Sequence, residues 1–407
     1  MVEQKPDSSS GPLMYGGILP QEEMLEIGKK HKKIIIGIPR DNHNIERRVA
    51  LTPEAVEVLV DNGHDVLMES KAGDGARYSD SEYSECGGYI IDNKKQVMNA
   101  DIILKVAPLS DEEIKLLKGD QVIITSLQMI NQTREYIMKM MDKKVTAIAF
   151  EHMKDEFNCF PVLESMRAIA GNTAIMVAGE YLSNISGGKG VMLGGISGIT
   201  PTEVMIIGAG TAAEYAARAA LGFGAVVKVF DNSPHRLENL QKNLGHRIFT
   251  SIFHPQVLKR SLKSADVLIG AINLWDKGPR YFITEDMVKE MKKGSIIIDI
   301  SIDQGGCIET SEYRSYSDPV FTKHDVIHYT IANLPSKVAR TASIALSNII
   351  SPILVNMGNS GGINPFLKAN LGVRHGVYIY NGILTNENIG NRFEIPSKDI
   401  DLLMAAF

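Results

Sequence analysis

Between Val204 and Asp231 the chain carries a pattern that fixes much of its architecture. Val204-Met205-Ile206-Ile207 is an apolar run of strand length that leads directly into Gly208-Ala209-Gly210-Thr211-Ala212-Ala213. An alanine-rich helical stretch follows to Phe223, and a second apolar run ends at Asp231, 23 positions after Gly208. A lone G-x-G-x-x-A says little. Strand, glycines, helix, second strand and terminal acid in this order describe one half of a dinucleotide-binding sheet. Gly208 permits the tight turn, Gly210 lets the backbone approach a pyrophosphate at the helix N-terminus, and Ala213 lets helix and strand pack closely. Asp231 is placed to accept from ribose hydroxyls and to repel a 2′-phosphate, which favours NAD over NADP. Arg236, five residues on, keeps an NADP reading open. The plainer alternative is the same fold with no dinucleotide bound.

The alternation extends over most of the chain. From Ile34 onward, short β-branched runs alternate with helical stretches, as in parallel α/β proteins. The pattern predicts strands at 34–38, 65–69, 101–106, 121–125 and 145–150. A second series falls at 204–207, 226–230, 266–271, 295–300 and 326–331. Thr52-Pro53 reads as an N-cap and first helical position, Asn62-Gly63 as a stop, and Asp111-Glu112-Glu113 supplies acids to a first turn. Long helices are expected at about 161–182 and 341–357, at the junctions between the series. The fold class is therefore α/β, with two Rossmann-like domains of parallel sheet, the first discontinuous and separated from the second by a cleft and long junction helices. In this division residues 1–33 form an N-terminal arm, 34–160 with 341–407 a substrate domain, and 161–340 an NAD-binding domain with its junction helix. The glycine-rich stretch 186–197 is either a flexible linker or a loop that approaches a ligand.

Composition removes several classes of function. With 43 Lys+Arg against 48 Asp+Glu the formal charge is -5, so no general electrostatic drive toward nucleic acid or anionic lipid is expected. Cys86, Cys159 and Cys307 form no C-x-x-C pair and support neither a disulfide framework nor a metal site. A reducing cytoplasm fits best. No run of 18 apolar residues suggests a membrane span, and residues 1–33 lack the apolar core of a signal peptide.

Ligands of doubly wound sheets gather at the carboxyl ends of the strands. Arg48, Lys105 and Gln128 fall at such ends in the first series. Arginine can clamp a carboxylate bidentately and lysine adds a compact donor, which suits a small amino or oxo acid and predicts a locally positive cleft. A single charge at a strand end is more often just solvated, but Lys105 lies within the apolar run Ile102-Ile103-Leu104-Lys105-Val106. In the second series, Ile296-Ile297-Ile298-Asp299-Ile300-Ser301-Ile302-Asp303-Gln304-Gly305-Gly306 ends a buried strand with acids and two glycines. Asp303 is expected to face the nicotinamide region, or else to cap its own turn. His152, His324 and His328 lie near strand ends, where each reads first as a structural histidine. Trp275 either packs over the nucleotide or covers the domain edge. Cys307 has no activating base in its sequence neighbourhood.

Arg48-Val49-Ala50-Leu51-Thr52-Pro53, Leu104-Lys105-Val106, Ile207-Gly208-Ala209-Gly210, Ile302-Asp303-Gln304-Gly305-Gly306-Cys307 and Ile331-Ala332-Asn333-Leu334-Pro335 together resemble the alanine dehydrogenase family. That family is itself similar to the soluble NAD-binding part of the nicotinamide nucleotide transhydrogenase α subunit. The resemblance spans about 34–381. It implies that Arg48 and Lys105 bind the substrate carboxylate and its carbonyl or amine, and that Asp303 is the catalytic carboxylate. It also implies that Asp231 binds ribose, that Asn333 borders the nicotinamide, and that the chain forms a hexamer or dimer. Two positions depart from the family. Gln128 stands where a histidine is usual, and an amide orients groups but cannot carry a proton. Arg167 replaces a small hydroxyl residue near the expected pyrophosphate, where it either adds a phosphate contact or crowds the cofactor.

The activity the resemblance implies is oxidative deamination of L-alanine, or a similar small L-amino acid, with hydride transfer to NAD. Asp303, Lys105 and Gln128 would line the reacting centre. The competing readings are an amino-acid dehydrogenase of saccharopine type, a soluble transhydrogenase α-like subunit, and a non-catalytic NAD-binding protein.

Overall fold

The computed structural model describes residues 31–274 and 281–406. Most of the expected N-terminal arm, and Trp275, lie outside the described residues. The first six strands, β1 (Ile35–Ile38), β2 (Asp65–Glu69), β3 (Tyr89–Ile91), β4 (Ile102–Leu104), β5 (Val122–Thr125) and β6 (Thr146–Ala149), are mutually parallel. The next seven are β7 (Glu203–Ile207), β8 (Val226–Phe230), β9 (Phe249–Ser251), β10 (Val267–Gly270), β11 (Ile296–Asp299), β12 (Val320–Lys323) and β13 (Val326–Tyr329). They form a second sheet in the order β12-β13-β11-β10-β7-β8-β9, parallel except for β12. At the edge of the first sheet β14 (Val377–Tyr380) pairs antiparallel with β6, and β15 (Ile383–Leu384) pairs antiparallel with β14, giving β15-β14-β6-β5-β4-β1-β2-β3.

Central strands β5, β6, β10, β11 and β13 are buried along their whole length, as expected when helices cover both faces of a parallel sheet. In both sheets the strand order reverses beside the first strand, between β1 and β4 and between β7 and β10. Each reversal opens a crevice at the carboxyl ends. The edge strands β3, β9 and β12 were not expected from the sequence. The first two have three residues each with exposed or half-buried side chains, so they lack the apolar run that marks a central strand.

The expected helix start at Thr52 is present: its side chain accepts the Ala55 N–H, and Pro53 opens the helix Pro53–Asp61. The two junction helices are Pro161–Tyr181 and Ala339–Asn359, and they pack against each other. Gly171 of the first lies against the Thr211–Gly222 helix so closely that a Cβ there would overlap the Ala212 carbonyl oxygen. Ala339–Asn359 is the core of a helix long and apolar enough to cross a bilayer. Its Leu346, Ile350, Leu354 and Met357 are instead buried in the core beneath the first sheet.

Candidate functional site

The second sheet's crevice is built around two glycines with different reasons. Gly208 follows β7 with φ +105°, and a Cβ there would overlap the Ala271 carbonyl oxygen beyond β10. Only glycine fits. Gly210 has φ -90°, and a Cβ built on it meets nothing within 4 Å. Packing thus gives no reason for glycine at 210; the open space lies at the N-terminus of the Thr211–Gly222 helix, where a pyrophosphate would rest. Ala213 is fully buried on the inner face of that helix. Asp231, buried just after β8, accepts the Ala209 N–H on Oδ2 at 2.9 Å and the Ser233 N–H on Oδ1 at 2.8 Å. Its carboxylate ties the glycine turn to the end of β8 and leaves negative charge where a ribose would sit. Arg236 is exposed in the first turn of the next helix, Pro234–Leu244. Open space, helix terminus and acid together fit a dinucleotide.

Beyond β11 the chain turns through Ile300–Gln304 on a buried carboxylate. Asp299 accepts the N–H groups of Ser301 and Cys307, each at 3.1 Å, and the Ser311 hydroxyl at 2.9 Å. Asp303 projects from this turn with more than a third of its surface in water. The protein mass around its carboxyl pushes its pKa up to about 7; Asp299 adds to the rise and Arg167 opposes it. Water on the exposed face moderates the shift. Arg167 stands half-buried on the first junction helix and acts on Asp303 and Arg236 through charge, without an ion pair among the described residues. Burial lowers its pKa, yet a guanidinium remains a cation at neutral pH. The Arg167 substitution therefore places positive charge beside the expected catalytic carboxylate.

On the first sheet, Arg48 and Lys105 are both buried, and both already hold carboxylates. Arg48 Nε and Nη2 grip Glu46 Oε1 and Oε2 at 2.8 and 2.6 Å, while Nη1 points to Met166 Sδ at 3.2 Å. The bidentate clamp expected for a substrate is thus made to Glu46, and only the Nη1–Nη2 edge remains for a ligand. Lys105 Nζ contacts Glu113 Oε2 at 2.8 Å, Asp41 Oδ1 at 3.3 Å and the Pro108 carbonyl at 3.3 Å. Burial alone would weaken the Lys105 ammonium, but Asp41 and Glu113 outweigh it and raise its pKa. Burial lifts Asp41 to about 7 against the pull of Lys105, with Glu46 and Glu113 adding to the rise. Around the cleft expected to be positive from Arg48 and Lys105, Asp41, Glu46 and Glu113 stand beside the further cations Arg40, Lys71 and Lys94. A cavity of about 490 Å³ opens beside Lys105, lined by Arg40, Asp41, His43, Lys71 and Glu113 among others.

Gln128 follows β5 in the left-handed region, φ 46° and ψ 56°, and its amide Nε2 donates to Ser126 Oγ at 3.3 Å. Beneath it, buried Glu151 accepts the N–H groups of Leu127 at 2.6 Å and Gln128 at 3.3 Å on Oε1. Glu151 Oε2 has no hydrogen-bond partner, and burial pushes this carboxyl up to about 7. Asn333 is also left-handed, φ 61°, and its Nδ2 donates to Glu46 Oε2 at 2.6 Å.

These contacts bring Arg48 and Asn333 together on one side of the junction helix and Arg167 and Asp303 on the other, while Gly208, Gly210 and Asp231 stand apart at the second sheet's crevice. Met166 touches Arg48, and its neighbour Arg167 acts on Asp303. Asn333 reaches Arg48 through Glu46. The sequence reading missed Asp41, Glu46, Glu113 and Glu151. Position offered some signal: Asp41 comes soon after the first strand, and Glu46 lies two residues before Arg48. The three strand-end histidines have different surroundings. His328 is buried in β13, with Nε2 2.8 Å from Thr310 Oγ1, and burial drops it to about 4. His324 contacts Glu285 at 2.7 Å in an edge turn. His152 is pushed down to about 4, by burial first and then by His375. Cys307 is buried against Asp299, which with burial raises its thiol further and leaves it inert.

Residues 37–170 match the family described as Alanine dehydrogenase/PNT, N-terminal domain, and 174–387 match Alanine dehydrogenase/PNT, C-terminal domain. Similar relatives include an alanine dehydrogenase of Staphylococcus epidermidis, 37% identical over 90% of this chain and 98% of that protein. Alanine dehydrogenase 2 of Staphylococcus aureus is 38% identical with the same coverage. Among solved structures, an L-alanine dehydrogenase superposes with TM-score 0.83 and 31% identity over 89% of this chain and 99% of the other. A transhydrogenase from Sinorhizobium meliloti shares the fold, with TM-score 0.73 and 24% identity over 88% of this chain and all of the other (100%).

Proposed function

Because the chain belongs to the alanine dehydrogenase/PNT family, we propose that it catalyses NAD-dependent oxidative deamination of L-alanine, or a similarly small L-amino acid, to the 2-oxo acid and ammonium. In this reading residues 34–160 with 341–407 form the substrate domain and 161–340 the cofactor domain. The observation that carries it is the meeting of Arg48 and Asn333 on one carboxylate, Glu46. It brings the substrate arginine and the cofactor loop within two hydrogen bonds of each other.

Gly208, Gly210 and Asp231 would hold NAD, which would supply the acceptor for a hydride from the substrate α-carbon. The free edge of Arg48 holds the substrate carboxylate. Lys105, kept as ammonium by Glu113 and Asp41, donates to the carbonyl or carbinolamine oxygen and does not act as a base. Asp303, with its carboxyl raised toward neutrality, moves protons onto and off water and the departing amine. Gln128 orients the substrate or a water. Asp231 disfavours a 2′-phosphate, hence NAD.

Gln128, standing where the family usually has a histidine and so altering the pocket, favours a second reading, a dehydrogenase for another amino acid. Purified protein should consume NADH with ammonium and pyruvate. Faster turnover with larger oxo acids, or with lysine as the amine, selects the second reading. No turnover across the panel despite NADH binding refutes both and leaves a binding protein or a transhydrogenase-like subunit. We also read the chain as a cytoplasmic homo-oligomer. Met176, Ile185, Met192 and Phe223 are exposed around an apolar groove, a surface suited to a second copy. Light scattering after gel filtration tests this.

A further inference from the structure

Glu46 is almost wholly buried, and its charge is shared between the two halves of the molecule. From the first sheet's side it receives Arg48 Nε at 2.8 Å, Arg48 Nη2 at 2.6 Å and the Arg48 backbone N–H at 2.9 Å. From the segment that follows β13 it receives Asn333 Nδ2 at 2.6 Å and Ser336 Oγ at 3.2 Å. Ser336 Oγ in turn accepts the Arg47 N–H at 2.8 Å, which closes the link a second time. Both ends of this bridge are held in place. Asn333 is held in the left-handed region, and Arg48 is fixed along its length by Glu46 and Met166.

A buried carboxylate with this many donors has little freedom. Arg48, Glu46 and Asn333 keep or lose their positions together, and a ligand carboxylate taken on the free edge of Arg48 holds all three where they already stand. Low local dielectric makes each bond stronger than it would be in water, and leaving any donor or acceptor unpaired there is costly. A ligand that settles Arg48 therefore settles Asn333, and the reverse must hold by reciprocity of binding free energies. We propose that Glu46 is a positioning residue that couples the two ligands: it transmits occupancy of the cofactor site at Asn333 to the substrate arginine, so that bound dinucleotide raises affinity for a small 2-oxo carboxylate and the reverse. This rests on the reading of Arg48 as substrate residue and Asn333 as cofactor residue. Tyr316 belongs to the same device, since its hydroxyl donates to the Asn333 carbonyl at 2.7 Å and its ring lies 5.0 Å from the Arg47 guanidinium.

The test is a binding cycle on the full chain with NADH and oxamate, a non-reacting isostere of pyruvate. The ratio of oxamate Kd without NADH to that with saturating NADH gives the coupling factor. It should be about 5-fold or more in the native protein, within the usual range for coupled sites. In Glu46→Gln it should fall to below about twofold. Asn333→Gly tolerates the left-handed backbone and removes the amide that donates to Glu46, so it should lower the factor even if Glu46→Gln does not fold. A native factor near one, or an unchanged factor in the folded variants, overturns the proposal. Arg48→Lys tests the underlying reading separately. If it leaves oxamate affinity unchanged and Asn333→Gly leaves NADH affinity unchanged, the assignment of the site fails. If both affinities drop while Asn333→Gly retains native coupling, only the inference about Glu46 fails.

Discussion

Glu151→Gln should make the protein less sensitive to pH, and the size of the effect follows from where the carboxyl sits. Glu151 is buried beneath the Gln128 turn, and burial raises its pKa from 4.5 to about 7; the N–H groups of Leu127 and Gln128 and the charge of Arg48 only partly offset this. The phenols of Tyr136 and Tyr378 pack nearby and add no positive charge. A carboxyl whose folded pKa exceeds its unfolded value contributes stability that is fully present below the unfolded value. That stability is lost as pH rises through the folded one. Linkage over the interval from 4.5 to about 7 gives a loss of about 2.5 kcal/mol between pH 5 and pH 8 from this group alone. The glutamine oxygen can accept the same two N–H groups without titrating. Asp41 and Asp303, also raised to about 7, impose the same sign of slope but remain in both proteins, so they cancel in the comparison. Unfolding free energies from urea titrations at pH 5 and pH 8 should therefore differ in the native chain by about 2.5 kcal/mol more than in Glu151→Gln. Parallel slopes in the two proteins would mean that Glu151 is ionised at little cost, and the account of the Gln128 turn would fail.

The two glycines of the dinucleotide turn should respond oppositely. Gly208→Ala, with a positive φ and the Ala271 carbonyl in the way, should cost about 3 kcal/mol in thermal or urea unfolding. Gly210→Ala should leave stability within about 1 kcal/mol while weakening NADH in fluorescence titrations; equal stability losses would show that 210 is a packing position. Asp231→Ser should raise the NADH Kd about tenfold and shift the NADPH/NADH preference toward NADPH, through loss of a charged acceptor. Unchanged preference in parallel titrations would remove Asp231 from the ribose site. Gln128→His, at a backbone conformation histidine tolerates, should raise alanine turnover about tenfold or more and add an inflection near pH 6.5 to the rate profile. A profile without that inflection would mean the side chain does not reach the reacting groups.

What the sequence disclosed and what it withheld divide along a physical line. The strand–glycine–helix pattern at 204–231 was legible because its causes are local. A positive φ demands Gly208, a helix N-terminus needs room at Gly210, and a strand end presents Asp231. The central strands were legible because burial on both faces writes an unbroken apolar run, whereas β3 and β9 at the edges have none. Arg48 and Lys105 could be placed at strand ends, but their charge state in the fold could not. It depends on Glu46, Glu113 and Asp41, and for Arg48 also on Asn333 and Ser336, almost 300 positions away along the chain. Pattern reading finds the cation, and only tertiary packing supplies its counter-charge. The difference matters for mechanism. A bare arginine would seize any carboxylate, whereas one already gripped along Nε and Nη2 offers a single edge in a fixed direction. Selection at such a site comes from geometry more than from net charge. Size and shape around Met166 and the cavity beside Lys105 should then decide which amino acid is accepted.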